Sequence, residues 1–219
     1  MSQLRAIVFD MDGLMVDSEP LSQQAWDDYL RPYGHKLTKE IVSNIIGLRG
    51  DVSTPLIKEM FNLPEPVPVI IEKRMAIYSH IRANGVPIMP GLHELHAEIA
   101  RRQISWGVAT SSPRHHAIEI LNQLGLQNRC QAIAAGDEVV HSKPNPAIYL
   151  LAAERLGISP QHCLALEDSG PGSQAAVSAG MITIAIPNAQ TKTADFSHAH
   201  HRYNSLHDVL ANLDTFFGT

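Results

Sequence analysis

The chain predicts an α/β fold: a parallel sheet with helices on both faces, doubly wound and Rossmann-like, interrupted after its first strand by a small all-helical insert. Three observations predict it. The apolar run Ala6-Ile7-Val8-Phe9 stops at a turn signal, as a buried strand does. From about Pro20 to Arg82 the pattern is helical, with no clear strand. From Leu92 onward strand-like runs alternate with helical ones, and that alternation implies parallel strands with helices packed on both faces.

Taken in order, the first strand is Ala6 to Phe9. The segment Pro20 to Leu30 carries Leu21, Ala25, Trp26 and Tyr29 at helical spacing, and Pro20 suits a first turn. Ile41 to Ile46 and Pro55 to Phe61 read as short helices. Val67 to Arg82 reads as a longer one, after a joint at Pro64, Pro66 and Pro68. Asn84-Gly85 and Pro87 to Gly91 read as the return linker. The expected domains are therefore an α/β core of residues 1–16 and 89–219, and a helical unit of residues 17–88.

In the second half, Leu92 to Arg102 is an expected helix and Ile104 to Thr110 a strand ending at Ser111-Ser112-Pro113. Pro113 to Leu124 follows as a helix stopped by Gly125. Gln131 to Ala135 is a strand, Pro144 to Leu156 a helix stopped by Gly157, and His162 to Leu166 a strand ending at Glu167-Asp168. Gly172 to Ala179 is a helix, Ile182 to Ile186 a strand, and Leu206 to Phe217 a closing helix.

Composition narrows the function. The 219 residues suffice for one large domain or a domain with an insert, and 44% hydrophobic content can build a core. A net charge of −5 argues against a nucleic-acid backbone binder. It leaves room for an anionic substrate, because a local lysine and a metal can outweigh the global sign. Cys130 and Cys163 have no close spacing, which fits a reduced, cytoplasmic protein without a disulfide framework. The longest mostly apolar stretch, Ala175 to Pro187, is too short to span a bilayer. A monomer is the default expectation.

The chemistry-bearing residues fall at strand ends. Asp10 and Asp12 follow the first strand, in Asp10-Met11-Asp12-Gly13. Two acids this close repel unless a cation lies between them or one holds a proton. Both options suit phosphoryl transfer, with Asp10 attacking phosphorus and Asp12 moving a proton to and from oxygen. Thr110-Ser111-Ser112 can donate to phosphate oxygens, although most such residues are ordinary helix caps. In His141-Ser142-Lys143-Pro144-Asn145-Pro146 a proline restricts the backbone at Lys143, whose ammonium could neutralise phosphate and acid together. Leu166-Glu167-Asp168-Ser169-Gly170-Pro171-Gly172 again delivers acids to a strand end, and oxygen ligands from two strand ends are what a magnesium site requires. Each cluster alone has a bland reading as a turn or a solvated face; their order and shared edge do not.

In these segments, D-M-D-G-L-M-V-D-S, A-T-S-S, S-K-P-N-P and L-E-D-S-G-P-G, the chain resembles the haloacid dehalogenase-like hydrolases over nearly its whole length, including members with a small helical cap. The resemblance implies Asp10 as a nucleophile forming an aspartyl-phosphate, Asp12 as general acid/base, and Thr110 and Lys143 holding the phosphoryl group. It implies magnesium bound by Asp10, the Asp12 carbonyl and Asp168, with Glu167 on the metal or its water. Dehalogenation is set aside, because the dehalogenases lack an acid at the position of Asp12.

The run Asp17-Ser18-Glu19-Pro20-Leu21 through Ala25-Trp26 looks like the branch of β-phosphoglucomutase and small sugar-phosphate phosphatases. The mutases carry a histidine where this chain has Ser22, which favours a magnesium-dependent phosphatase of a small phosphorylated metabolite. A sugar phosphomutase and a non-catalytic binding protein are the alternatives. Thr110, Ser111, Lys143, Arg49 and Glu19 are the candidate phosphate- and substrate-binding residues. Arg74 could also face the substrate, whereas Lys73 reads as a solvated charge. The histidines near Asp195 (His198, His200, His201) read as a polar loop and His115-His116 as a helix start, rather than metal sites. Linkers near Val16 to Glu19 and Val86 to Pro90 would let the cap open and close.

Overall fold

The computed structural model describes residues 4–45 and 48–218. Ile46, the expected end of one cap helix, and Gly47 lie outside the described residues, as do residues 1–3 and 219.

Six parallel strands form one sheet: β1 (Ala6–Phe9), β2 (Ser105–Thr110), β3 (Ala132–Ala135), β4 (Cys163–Glu167), β5 (Ile182–Ala185) and β6 (His201–Arg202). Their order is β3-β2-β1-β4-β5-β6. The chain therefore leaves β1 toward one edge and returns to its other side, and the crevice at the carboxyl end of β1 is where such sheets bind ligands. Phe9 lies opposite Val108 on β2 and Leu166 on β4, so Asp10 emerges between Ala109 and Glu167, one residue before Thr110.

β1 is buried throughout because both sheet faces are covered. Its side chains alternate between two cores. Ile7 and Phe9 join Trp106, Leu164 and Leu166 beneath α5 (Leu92–Arg101), α6 (Arg114–Gln123) and α9 (Leu206–Ala211). Ala6 and Val8 join Ala109, Ala165 and Tyr149 against α7 (Ala147–Leu156) and α8 (Gly170–Ser178).

Between β1 and α5 lie α1 (Glu19–Leu30), α2 (Lys39–Ile45), α3 (Gly50–Phe61) and α4 (Val67–Arg82). They form a helical cap with a core of its own, Trp26, Tyr29, Leu30, Leu37, Ile57, Leu63 and Ile70. The two connections run side by side: Asp17 N–H donates to the Pro87 carbonyl at 2.8 Å and Met89 N–H to the Met15 carbonyl at 3.0 Å. Among the described residues no helix is long and apolar enough to cross a membrane.

Several boundaries differ from expectation. α3 begins at Gly50 rather than Pro55, and Pro55 sits inside it. α7 begins at Ala147 because Asn145 Oδ1 accepts the Ala147 N–H and forms a turn after Pro144. α8 begins at Gly170, capped by Ser169 Oγ on the Gly172 N–H. The closing helix breaks at Asn212, whose Nδ2 donates to the Asp208 carbonyl at 2.8 Å in competition with the backbone, leaving α10 (Leu213–Phe217) separate. β6, an exposed two-residue edge strand, falls where a polar loop was expected; His201-Arg202 has no apolar period to mark it.

Candidate active site

The buried end of Lys143 is the centre of the site. Its Nζ donates to Asp10 Oδ1 at 2.6 Å, to Glu167 Oε1 at 2.6 Å and to the Ala109 carbonyl at 3.1 Å. Burial disfavours the ammonium, but Asp10 and Glu167 outweigh that and hold the pKa above the usual lysine value. The ring of Tyr149 lies 5.1 Å from Nζ, and its hydroxyl donates to Glu167 Oε1 at 3.0 Å.

Glu167 is wholly committed. Its Oε1 accepts from Lys143 and Tyr149, and its Oε2 accepts from Ser169 N–H and Ser169 Oγ, both at 2.9 Å. A carboxylate has about four acceptor positions, and here all are taken. Gly172 is required beside it, since a Cβ there would fall inside the carboxylate.

Asp10, Glu167 and Asp168 bring oxygens within 4.8 Å of one another, all three buried. Burial raises the Asp10 pKa to about 8, with Glu167 and Asp12 adding repulsion against the opposing pull of Lys143. Asp168 is raised well above its ordinary value, by burial first and then by Glu167 and Asp10. Three carboxylates facing one ammonium leave uncompensated negative charge. That charge, with a donor set of hard oxygens, fits a hard divalent cation. Because Glu167 is spent on its hydrogen bonds, Asp10 and Asp168 are the side chains with capacity left for a cation.

Asp12 is oriented by hydroxyls. Ser18 Oγ donates to its Oδ1 at 2.7 Å; Ser112 Oγ and Thr110 Oγ1 donate to Oδ2 at 2.8 and 3.2 Å. Thr110 thus reaches the site as expected, with its hydroxyl turned to Asp12, and it also accepts the Ser112 N–H at 3.0 Å. Ser111 and Glu19 line the same cavity, which measures about 550 Å³. Burial raises the Glu19 pKa to about 7, with repulsion from Asp12 adding to it and Arg74 opposing. Arg49 is on the cavity wall too, engaged with Asp51 and with backbone carbonyls of the core.

Some of the surroundings were not singled out from the sequence. Asn188 donates through Nδ2 to Asp168 Oδ2 at 2.8 Å and to the Gly13 carbonyl at 3.1 Å, while its Oδ1 accepts from Gln190 and Thr191. Its only signal was an Asn just after a strand. Tyr149 is another; Ser18, Ser112 and Ser169 lie within the motif segments, but nothing in the sequence says which partner each hydroxyl takes. On the cap wall Arg74 donates to Ser22 Oγ and lies 5.4 Å from the Trp26 ring and 5.0 Å from that of Tyr78. Lys73 is exposed and paired with Glu65 at 2.9 Å. His198 bonds Ser173 at 2.7 Å and His200 Nδ1 accepts the Thr183 N–H at 3.1 Å; neither belongs to a metal-type cluster among the described residues.

The sequence profile of the haloacid dehalogenase-like hydrolases matches residues 7–186, most of the chain and every strand of the site. The chain belongs to that family. Among its relatives are a phosphorylated carbohydrates phosphatase of Thermotoga maritima, 31% identical over 81% of this chain and 82% of the relative, and hexitol phosphatase B of Escherichia coli K12, 33% identical over 84% of both. The crystal structure of CbbY from Rhodobacter sphaeroides in complex with phosphate superposes with a TM-score of 0.86 at 28% identity, covering 96% of this chain and 99% of that one. The β-phosphoglucomutase of Clostridium difficile, at TM-score 0.85 and 24% identity over 98% of this chain and 97% of its own, shares the fold. Within its family the chain is a phosphoric monoester hydrolase of the capped branch.

Proposed function

We propose that the chain hydrolyses a small sugar or sugar-alcohol phosphate through an aspartyl-phosphate on Asp10. The observation that carries this is Lys143, seated between Asp10 and Glu167 with Asp168 beside them and Asp12 on the same wall of the cleft. In the first step an Asp10 oxygen bonds phosphorus as the bond to the leaving oxygen breaks, and Asp12 delivers a proton to that oxygen. In the second, Asp12 takes a proton from water, which attacks phosphorus, releases phosphate and restores Asp10. Lys143 and the Thr110 and Ser111 hydroxyls hold the phosphoryl oxygens. Asp10, Asp168 and the Asp12 carbonyl would hold magnesium, which supplies positive charge against the acids and phosphate together. Residues 17–88 act as the cap, closing over the leaving group and excluding water.

Two considerations support a hydroxyl-bearing leaving group. Glu19 and Arg74 offer an acceptor and a donor on the cap side of the cavity, and the named relatives act on phosphorylated carbohydrates and hexitols. Ser22, which cannot carry a proton as a histidine can, supports hydrolysis over a mutase reaction. The test is phosphate release from a panel of hexose, pentose and hexitol phosphates with and without magnesium. Magnesium-dependent release that is lost in Asp10→Asn is expected, by roughly 10⁴-fold or more. Isomer conversion without net release would favour the mutase, and no turnover of any panel member would reject the proposal.

A further inference from the structure

Arg49 is the N-cap residue of α3, on the cap, yet three of its five hydrogen bonds go to the core. Nε and Nη2 each donate to a carboxylate oxygen of Asp51 at 2.6 Å, a two-point grip that sets the plane of the group. Nη1 then donates to the Gly136 and Val139 carbonyls, both at 2.7 Å, and Nη2 to the Val140 carbonyl at 3.3 Å. A guanidinium has five N–H donors, and these five bonds use all of them. A phosphate or hydroxyl of the substrate could gain Arg49 only by stripping it from the core.

What Arg49 grips is the segment between β3 and Lys143. Gly136 N–H donates to the Ser112 carbonyl at 2.9 Å, and Ser112 Oγ donates to Asp12. Gly136 has no room to move toward Ser111, since even a Cβ on it would collide with the Ser111 carbonyl. Three residues past Val140 the same segment delivers Lys143 to Asp10. One cap side chain therefore touches the start of both arms of the site. The cap-to-core ion pair among the described residues, buried Arg82 with Glu119, lies at the end of α4 next to the return linker.

We infer that Arg49 is a clasp: a positioning residue that closes the cap onto residues 136–140 and couples closure to Lys143 and Asp12, instead of binding the far end of the substrate. Its effect on turnover rests on the phosphatase reading; the closure does not. A guanidinium between three carbonyls and a carboxylate is a geometry that lysine, a point charge, cannot reproduce.

The experiment compares the full chain with Arg49→Ala and Arg49→Lys. Amide hydrogen exchange without substrate should be several-fold faster over residues 136–143 in both variants, with α1 and α7 unchanged. With a hexitol phosphate and with p-nitrophenyl phosphate, which has no hydroxyls for the cap, kcat should fall by a similar factor, between about tenfold and a hundredfold. KM should stay within about twofold for both. Unchanged exchange over 136–143 would overturn the clasp, and so would a loss confined to the KM of the hexitol phosphate. If the unmodified protein hydrolyses nothing, the phosphatase reading falls and the exchange data still decide the clasp. Melting curves of both variants guard against simple unfolding, with Arg49→Lys the milder change.

Discussion

The two walls of the cleft are built differently. On the core wall, buried groups answer one another: Lys143 has three partners, Glu167 accepts four hydrogen bonds from three residues, and Asp12 is held by three hydroxyls. On the cap wall Arg74 stacks between Trp26 and Tyr78 with its Nε buried and without a partner, and Glu19 stands near it. A saturated network is rigid and suits chemistry that must be in place beforehand. A spare donor suits a surface that chooses what it meets. The difference supports the proposed division in which the core wall reacts and the cap wall selects.

The sharpest way to break this contrast is Lys143→Ala. It leaves buried carboxylates facing one another with no ammonium, so the metal-free protein should lose about 3–5 kcal/mol of stability and all turnover. Thermal melts check it, and magnesium should restore part of the loss. Stability within 1 kcal/mol of the parent, on the same scale, would mean the core network is not a charge balance at all.

Asn188→Ala should spare the fold but weaken magnesium binding by roughly 10- to 100-fold, because Asp168 and the Gly13 carbonyl lose the group that orients them. Calorimetric titration measures it. Arg74→Met should act on the other wall, raising KM for a hexitol phosphate about tenfold, as loss of a charged donor does, while p-nitrophenyl phosphate is turned over as before. Equal losses on both substrates would erase the division between walls.

The smallest effect expected is on pH. The folded-state pKa of Asp10 is raised to about 8 and that of Asp168 is raised as well, by burial first. Between the ordinary carboxyl range and pH 8 the folded metal-free protein therefore binds more protons than the unfolded chain, and its stability falls as pH rises. Magnesium removes the cause, so the melting-temperature gain on adding it should be larger at pH 8 than at pH 6. Equal gains would place the charge burden elsewhere.

The fold was legible where burial is continuous and local pattern strong. Ala6–Phe9 is apolar because both faces of β1 are covered, and the α/β alternation after Leu92 left one architecture to draw. The edge strand His201–Arg202 was not legible, since an exposed pairing imposes no period. The split at Asn212 and the early start of α3 were hidden because each turns on a side chain's hydrogen bond or a tertiary contact. In the site, Asp10, Asp12, Lys143, Glu167 and Asp168 were found through motif order. Asn188 and Tyr149 belong to no such order.

Residue types and their spacing were enough to name the acids, the lysine and the sheet edge they share, because strand ends are set by local pattern and by the rules of parallel crossover. Whether Glu167 keeps a lone pair for a metal, and where the five donors of Arg49 point, depended on atoms far apart in the chain. Hydrogen-bond capacity is finite, and only the packed chain shows which partner uses it.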